Sequence, residues 1–361
     1  MIDIKKFFNP RTIAVIGASD HSEKVGGILS QKIRDSKATL VPINPNHEQI
    51  FGVKCYKNVL DYKGTIDLAI IAVPSLFVVG ALNECATKKI KDVIIISAGF
   101  SEIGNVRGEQ ELRDVAKKND INFIGPNCFG IFNPYKNLDA TFSASTPVKG
   151  DIAFISQSGA LWSYIADFSL EKNIGFSGFV SLGNMGDLEF SDFIEYFSKD
   201  SKTKSIILYI EKLKDGKKFI SACRKCKKPI YVIKAGSSEE GSKAAFSHTA
   251  SLASDYEIYK GAFSQAGVIL CDSLIGAVEK IKKKEFVVRR KDSFRIGKKV
   301  FIITNAGGAG ALLADYLSKK GFEIVRGPLD ILGTATGSDY FNALEKIKNE
   351  TFYESIIVVL T

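Results

Sequence analysis

The sequence predicts an α/β protein in which parallel strands alternate with helices. Short apolar runs recur along the chain with helical segments between them, and many of the runs end in loops of small or polar residues. The chain has 361 residues, 45% of them hydrophobic, which is enough for two or three domains. We place three domains, at residues 1–148, 149–290 and 291–361.

The first domain contains five apolar runs that we interpret as strands of a doubly wound parallel sheet. They lie at residues 12–16, 39–43, 66–73, 93–97 and 121–124. Each run is followed by small or polar residues. Because the carboxyl ends of the strands line the ligand crevice in such a sheet, we expect a binding site there.

The loop after the first run, GASDHSEKVGG at residues 17–27, lacks the GxGxxG pattern of a dinucleotide site. The second run also ends without the acidic residue that would bind a ribose hydroxyl, so the sequence disfavours an NAD oxidoreductase. Lys24 and the free N–H groups of a helix that starts near Val25 favour a ligand with phosphates and an adenine. The alternative is a sheet without a ligand, whose loops only make turns.

The second domain repeats the pattern, with predicted strands at 152–155, 176–181, 205–210, 230–233 and 268–270. Small residues at 156–159 follow its first strand and open a helix at 160–171, which predicts a cradle for an anion. The alternative is an ordinary helix N-cap by Ser158. Glu211 ends the strand at 205–210, where a carboxylate faces the crevice; the alternative is a solvated side chain beside Lys212.

A histidine follows the strand at 230–233, within the stretch KAGSSEEGSKAAFSHTASLA at residues 234–253. The chain has three histidines, and this one, His248, lies among small residues at the expected edge of the sheet. We hypothesise that His248 is a nucleophile that Glu211 orients, and that the helix start at 156–159 holds a phosphate. The chemistry would be a covalent phosphohistidine. The alternative is an incidental histidine on a surface loop.

The third domain is predicted to be partial. A strand at 299–304, the turn NAGGAG at 305–310 and a helix at 311–320 are followed by two more predicted strands, at 322–325 and 355–360. So few elements leave apolar surface exposed. We therefore expect a truncated domain or one that a partner completes.

The net charge of +9 and the pI of about 9.0 fit a polyanionic small molecule, or simply a lysine-rich solvated surface. The lysines are spread along the whole chain, so we expect no nucleic-acid partner. No apolar run is long enough to span a membrane, and no export signal is recognisable. Six scattered cysteines indicate reduced thiols in the cytoplasm, and the CxxC at Cys223 and Cys226 has no second pair that would predict a metal site.

Ten motifs, in order and over nearly the whole chain, resemble those of the α subunit of the ADP-forming acyl-CoA synthetases, a family similar to the α subunit of succinyl-CoA synthetase. The motifs are IAVIGAS, PINPNHEQIFG, DLAIIAVP, IISAGFSE, IGPNCFGIFN, ISQSGAL, FVSLGNMGD, LYIE, IKAGSSEEGSKAAFSHTASLA and ITNAGGAGALLADYL. The resemblance implies a Rossmann-like CoA-binding domain followed by two flavodoxin-like α/β domains, the last of them incomplete.

The resemblance also implies roles for individual residues. His248 matches the phosphorylated histidine of the family and Glu211 its supporting glutamate, and the phosphate-holding helix start falls on Ser156, Gln157, Ser158 and Gly159. The residues implied to bind CoA are Gly17, Ala18, Ser19, Lys24, Asn44, Pro45, Val73, Pro74, Ser97, Ala98, Gly99, Pro126 and Asn127. Ala250 and Ser254 depart from the glycines that the family often has after the histidine.

The implied reaction converts acyl-CoA, ADP and phosphate into a carboxylic acid, ATP and CoA, through an acyl phosphate and a phosphohistidine. The family needs a nucleotide-binding ATP-grasp β subunit, where ADP or ATP and Mg²⁺ are expected. We therefore expect a hetero-oligomer and no ATP synthesis by this chain alone. The alternative function is a CoA- or acyl-CoA-binding regulatory module of an acetyltransferase-type protein.

Overall fold

A computed structural model of the chain describes residues 3–238, 241, 256–283, 296–331 and 335–360. They fold into three successive units of sheet and helix, which confirms the predicted α/β class. No helix in these ranges is long and apolar enough to cross a membrane. His248, Ala250 and Ser254 lie outside the described residues.

The first unit is a parallel sheet with helices packed on it, although its short first helix also reaches the second unit, where the ring of Phe8 stacks on that of Tyr196 at 4.8 Å. Its strands and helices are β1 (Thr12–Ile16), β2 (Thr39–Ile43), β3 (Gln49–Ile50), β4 (Val53–Lys54), β5 (Leu68–Ile71), β6 (Asp92–Ile95) and β7 (Asn122–Ile124), with α1 (Lys5–Phe8), α2 (Val25–Arg34), α3 (Ser75–Thr87) and α4 (Val106–Lys118). The sheet has the order β2-β1-β5-β6-β7, and β3 pairs with β4 as a small hairpin. β5 and β6 are buried throughout, as expected for parallel strands covered on both faces.

The strand order reverses between β1 and β5, because β2 lies on one side of β1 and the later strands on the other. A reversal of this kind is the point at which an open α/β sheet generally holds its ligand, outside the carboxyl ends of the strands. The run predicted at 66–73 is shorter in the structure, at Leu68–Ile71. The Asp67 carboxylate instead accepts hydrogen bonds from the N–H groups of Arg11 and Thr12, at 2.8 and 3.0 Å.

The second unit is a seven-stranded sheet. Its elements are β8 (Gly130–Asn133), β9 (Leu138–Thr141), β10 (Lys149–Ser156), β11 (Phe176–Ser181), β12 (Ser205–Ile210), β13 (Ile230–Lys234) and β14 (Ile269–Leu270), with α5 (Ala160–Lys172), α6 (Phe190–Lys199), α7 (Gly216–Lys225), α8 (Tyr256–Ala266) and α9 (Leu274–Lys282). The order is β14-β13-β12-β10-β11-β8-β9, and it reverses between β10 and β12. This reversal is a second point at which such a sheet generally holds a ligand.

The hairpin of β8 and β9 extends this second sheet, although it precedes the predicted boundary at residue 148. β8 runs antiparallel to β11, with Ile131 opposite Val180 and Phe132 opposite Phe179. Phe179 in turn stacks on Trp162, with the two rings 4.1 Å apart and nearly parallel. The boundary between the first two domains remains a prediction, but residues 130–141 contribute their pairing and apolar side chains to the second sheet.

The third unit is small. Its described elements are β15 (Lys299–Thr304), β16 (Glu323–Ile324), β17 (Leu329–Asp330) and β18 (Ser355–Val359), with α10 (Gly307–Lys319) and α11 (Gly337–Ile347). β15 is central and pairs in parallel with β16, β17 and β18. β17 was not predicted, because two residues are too few to give an apolar pattern.

Candidate active site

Two loops predicted to hold the chemistry meet where the second sheet reverses. Ser156 ends β10 and is paired with Tyr209 of β12, so the residues that follow each strand emerge side by side. The Gln157 side-chain oxygen accepts hydrogen bonds from the N–H groups of Glu211 and Lys212, at 2.7 and 2.9 Å. The structure thus brings the predicted phosphate cradle and Glu211 into direct contact.

Glu211 is buried, with 8% of its surface exposed, so the predicted alternative of a solvated side chain is wrong. Its Oε1 atom has no hydrogen-bond partner in the part of the chain that the structure describes. A buried carboxylate oxygen without a donor is costly, by about 1–3 kcal/mol. The site is therefore prepared to accept a hydrogen bond from a group that comes from elsewhere.

The start of α5 lacks a side-chain cap. The N-cap residue is Gly159, no side chain among the described residues bonds to the first turn, and the alternative of an N-cap by Ser158 is wrong. The Ser156 hydroxyl instead donates to the Ser158 carbonyl at 2.6 Å, which fixes the turn. Uncapped N–H groups at the positive end of a helix favour an anion.

The third unit lies against this turn, and sequence reasoning gave it no role in the site. The Tyr209 hydroxyl donates to the carbonyl of Gly308, in the first turn of α10, at 3.2 Å. A Cβ at Gly308 would lie 2.7 Å from the side chain of Ser158, so the close approach requires glycine. The strand, small-residue turn and helix at 299–320 repeat the pattern at 152–171, and this repetition is the sequence signal that could have assigned the third unit to the site.

Lys234, at the end of β13, is a second functional candidate that sequence reasoning missed. It is buried, with 7% exposed, and its Nζ lies 4.5 Å from the centre of the Tyr259 ring and 2.5 Å from the carbonyl oxygen of Ala235. Burial lowers the pKa of Lys234 to about 8, and the charges of Glu211 and Asp315 offset only part of this effect. A buried cation beside Glu211 adds positive charge where phosphate is expected.

The Lys234→Met substitution is expected to stabilise the fold at neutral pH. The folded state binds the lysine proton more weakly than the unfolded chain, so the charge opposes folding in full below about pH 8 and the opposition disappears as the pH rises to 10.5. The substitution should raise the free energy of unfolding at pH 7 by at most about 3 kcal/mol and flatten its rise above pH 8. Denaturant titrations across this pH range measure both effects.

The exposed Lys260 supplies the control for this experiment. Lys260→Met removes a surface lysine whose ion pair with Glu257, at 3.3 Å, is solvated, so stability should change by less than about 0.5 kcal/mol. A Lys234→Met variant that is less stable than the native chain at pH 7 would contradict the argument.

The segment that leads to His248 leaves the sheet beside Glu211. The Ala235 N–H donates to the carbonyl of Ile210, the residue before Glu211, at 3.0 Å. Residues 236–238 continue from there, and the placement of the imidazole stays a prediction. Glu211 directly follows the residue to which this segment is bonded, so the two are neighbours at the edge of the sheet.

The residues predicted to bind CoA all lie at the carboxyl edge of the first sheet. They comprise the exposed Lys24, Pro45, Pro74 and Ala98, the partly buried Gly17, Asn44, Val73, Gly99 and Asn127, and the buried Ala18, Ser19, Ser97 and Pro126. Exposed and buried residues alternate along these loops, so the loops present an accessible surface. Such an edge can hold an extended ligand.

Hydrogen bonds tie these loops to one another. The Asn44 amide donates to the Ala18 carbonyl at 2.7 Å, which joins the loops after β2 and β1. The Ser97 hydroxyl donates to the carbonyl of Val73 at 2.5 Å, and the Asn127 N–H donates to the Ser97 carbonyl at 2.9 Å. The edge is therefore organised in advance of any ligand.

A buried polar network connects this edge to the second unit. The side chain of Asn184, in the loop after β11, accepts from the Asn127 amide at 3.3 Å and donates to Glu109 at 3.0 Å. Burial alone would raise the pKa of Glu109, but hydrogen bonds from Ser101 and Asn184 and the charge of Arg113 hold it below its usual value. The carboxyl edges of the two sheets are thus parts of one connected framework.

Two family models match the chain. A CoA binding domain matches residues 11–134, and a succinyl-CoA ligase-like flavodoxin domain matches residues 149–282. The matches fall on the first and second sheets. Together with the fold, they define a CoA-binding chain of the succinyl-CoA ligase type.

Curated relatives narrow the class. The α subunit of acetate–CoA ligase [ADP-forming] II from Pyrococcus furiosus is 40% identical over 98% of this chain and 81% of its own length. Acetate–CoA ligase [ADP-forming] from Methanocaldococcus jannaschii is 42% identical over 92% of this chain, which spans only 50% of that protein. A solved acetyl-coenzyme A synthetase 1 of Ca. Korarchaeum cryptofilum, in complex with phosphate and ADP, is 34% identical with a TM-score of 0.76, covering 99% of this chain and 82% of that one.

The chain belongs to the ADP-forming acyl-CoA synthetases, as their α-like part, which confirms the predicted resemblance. Members of this class are acid–thiol ligases. Two relatives are named as α subunits, which implies a partner subunit.

Proposed function

We propose that the chain is the phosphoryl-carrying α subunit of an ADP-forming acyl-CoA synthetase. The observation that carries the proposal is the contact between Gln157, in the turn before α5, and the backbone N–H of Glu211. The Oε1 atom of the same Glu211 has no hydrogen-bond partner among the described residues. A regulatory CoA-binding module needs no such site, whereas transfer of a phosphoryl group to a histidine does.

The reaction would begin at the thioester. A phosphate oxygen attacks the acyl carbon of acyl-CoA, the carbon–sulfur bond breaks, and CoA leaves with a proton as an acyl phosphate forms. CoA would lie along the loops at the carboxyl edge of the first sheet, and the start of α5 would hold the phosphate. Lys234 adds positive charge to the same region, which favours the phosphate and the developing negative charge.

His248 would then attack phosphorus, and the carboxylic acid would leave as its carboxylate. The imidazole nitrogen opposite the new N–P bond carries a proton, and Glu211 would accept a hydrogen bond from it. The phosphoryl group would pass to ADP on an ATP-grasp β subunit, where Mg²⁺ would accompany the nucleotide. The free cysteines are consistent with a cytoplasmic location for this assembly.

The substrate is proposed to be a small carboxylic acid, with acetate favoured because several relatives are named acetate–CoA ligases. The test uses the chain purified from its source with its partner subunit. Acetyl-CoA, phosphate and ADP should yield ATP, and a panel of acyl-CoA substrates of increasing size should rank the acids. CoA binding without ATP formation for any acid would favour the regulatory alternative.

Glu211→Gln is expected to slow phosphate incorporation into His248 roughly a hundredfold. The amide keeps the size of the side chain but removes the negative charge that stabilises the ring as it becomes positive. Incorporation is measured with ³²P-labelled phosphate and acetyl-CoA in the absence of ADP. Glu171→Gln, at an exposed position of α5, is the matched control and should label at the native rate. Equal rates for both variants would remove Glu211 from the mechanism.

A further inference from the structure

Asp315, on α10 of the third unit, reaches across to the segment that leads to His248. Its Oδ2 accepts hydrogen bonds from the N–H groups of Gly236 and Ser237, at 2.9 and 3.1 Å. Its Oδ1 accepts from both the N–H and the hydroxyl of Ser238, each at 2.7 Å. One carboxylate therefore binds three consecutive backbone N–H groups.

The backbone of this segment is shaped around the carboxylate. Gly236 has a φ of +77°, a conformation that side chains rarely allow, and this lets successive N–H groups converge on one anion. Gly241 is packed so tightly that a Cβ there would lie 1.9 Å from Oδ1 of Asp315. Its N–H donates to the Ser238 hydroxyl at 2.9 Å. The two glycines, 236 and 241, fit the turn closely around Asp315.

The contact joins parts of the chain that are distant in sequence. Asp315 is buried, with 5% of its surface exposed. Hydrogen bonds that a carboxylate accepts from backbone N–H groups are stronger than those between neutral groups. The segment it holds begins directly after β13, where Ala235 is bonded to the strand that carries Glu211. Its base is therefore fixed on both sides, by the second sheet and by α10.

We propose that Asp315 is a positioning residue that anchors the base of the His248 segment next to Glu211; this inference rests on the proposed function. Ser238 and His248 are ten positions apart, so the imidazole can travel at most about 35 Å from the anchored base. The anchor keeps the start of that path at the site where the phosphoryl group is received. A loose base would lower the fraction of time that His248 spends beside Glu211.

The test is Asp315→Asn in the complex of the chain with its partner subunit. Asparagine replaces one acceptor oxygen by an NH₂ group, which cannot accept from the N–H groups that it would face. We expect incorporation of ³²P-phosphate from acetyl-CoA and phosphate to slow at least about tenfold. Hydrogen exchange at residues 236–238 should accelerate, while the Kd for CoA should stay within about twofold of the native value, because the first sheet is untouched.

Asp272→Asn is the matched control. It makes the same chemical change at an exposed position. It removes a surface ion pair, at 3.2 Å, with Lys319, which lies on the same helix as Asp315. Labelling and hydrogen exchange should remain native. If Asp315→Asn labels and exchanges like this control, the inference is overturned.

A second variant decides the matter if Asp315→Asn does not fold. Ser238→Ala removes only the hydroxyl bonds to Asp315 and Gly241, and labelling should slow about two- to tenfold. Native labelling by that variant would overturn the inference. Native protein that incorporates no phosphate would instead refute the proposed function, so the two failures are distinguishable.

Discussion

Replacing His248 with asparagine is expected to abolish the incorporation of acid-labile phosphate into the chain. An imidazole has a lone pair that attacks phosphorus near neutral pH, whereas the amide nitrogen of asparagine does not. ATP formation by the complex with the partner subunit should fall below detection, because the phosphoryl group has no carrier. The Kd for CoA should not change, since the candidate CoA loops belong to the first sheet.

His47→Asn is the control for this experiment. His47 lies in the loop after β2 of the first sheet, and its Nδ1 is 3.8 Å from a carboxylate oxygen of Asp20. Glu211 follows a strand of the second sheet. Because His47 adjoins the candidate CoA residues Asn44 and Pro45, the two variants are compared at saturating acetyl-CoA, where His47→Asn should incorporate phosphate as the native chain does. If His248→Asn retained the label, another residue would be the acceptor, and the role of Glu211 would have to be reassigned.

Gly26→Ala is expected to destroy the candidate CoA site. A Cβ at Gly26, in the first turn of α2, would lie 1.9 Å from the carbonyl oxygen of Gly17, and both groups are fixed by the backbone. Gly17 cannot retreat easily, because it has a φ of +92° and faces the Ala72 carbonyl. The free energy of unfolding should fall by about 3 kcal/mol and CoA affinity by roughly a hundredfold or more. Calorimetry with CoA and thermal unfolding measure the two effects.

Gly80→Ala is the matched control, because it is the same change within a helix of the same unit. No atom of the residues that the structure describes lies within 4 Å of a Cβ at Gly80 on α3. Alanine favours helix, so stability should rise by about 0.5–1 kcal/mol while CoA binding is retained. Native CoA affinity in Gly26→Ala would show that the loop after β1 does not contact the coenzyme.

The sequence predicted the features that local pattern encodes. The apolar runs of β1, β2 and β12 are continuous because these strands are buried on both faces, and their observed bounds match the predicted ones. The positions of the candidate sites followed from chain order, since small residues after each run mark the carboxyl edge. The sequence analysis hypothesised that Glu211 lies beside the turn at 156–159, and in the fold the Gln157 side chain accepts a hydrogen bond from the Glu211 N–H.

Other features depend on contacts that a single sequence does not reveal. Asp315 and Lys234 are ordinary charged residues in the sequence. The packing of α10 against the second unit gives Asp315 its partners, and Tyr259 of α8 and the carbonyl of Ala235 surround Lys234. Likewise, Gly308 reads as one of several glycines in a turn until Ser158 is found against it. The hairpin at 130–141 pairs with β11, whose Phe179 and Val180 lie 47 and 49 positions beyond their partners Phe132 and Ile131, so periodicity could not assign the hairpin to a sheet.

Mass-spectrometric mapping of the phosphorylated residue shows directly whether His248 carries the phosphoryl group. The complex with the partner subunit is incubated with acetyl-CoA and phosphate without ADP, digested under alkaline conditions and analysed for acid-labile phosphate. The expected result is one phosphopeptide, modified at His248, whose phosphate is lost on addition of ADP as ATP appears. Phosphate on any other residue, or ATP formation with His248 never modified, would contradict it.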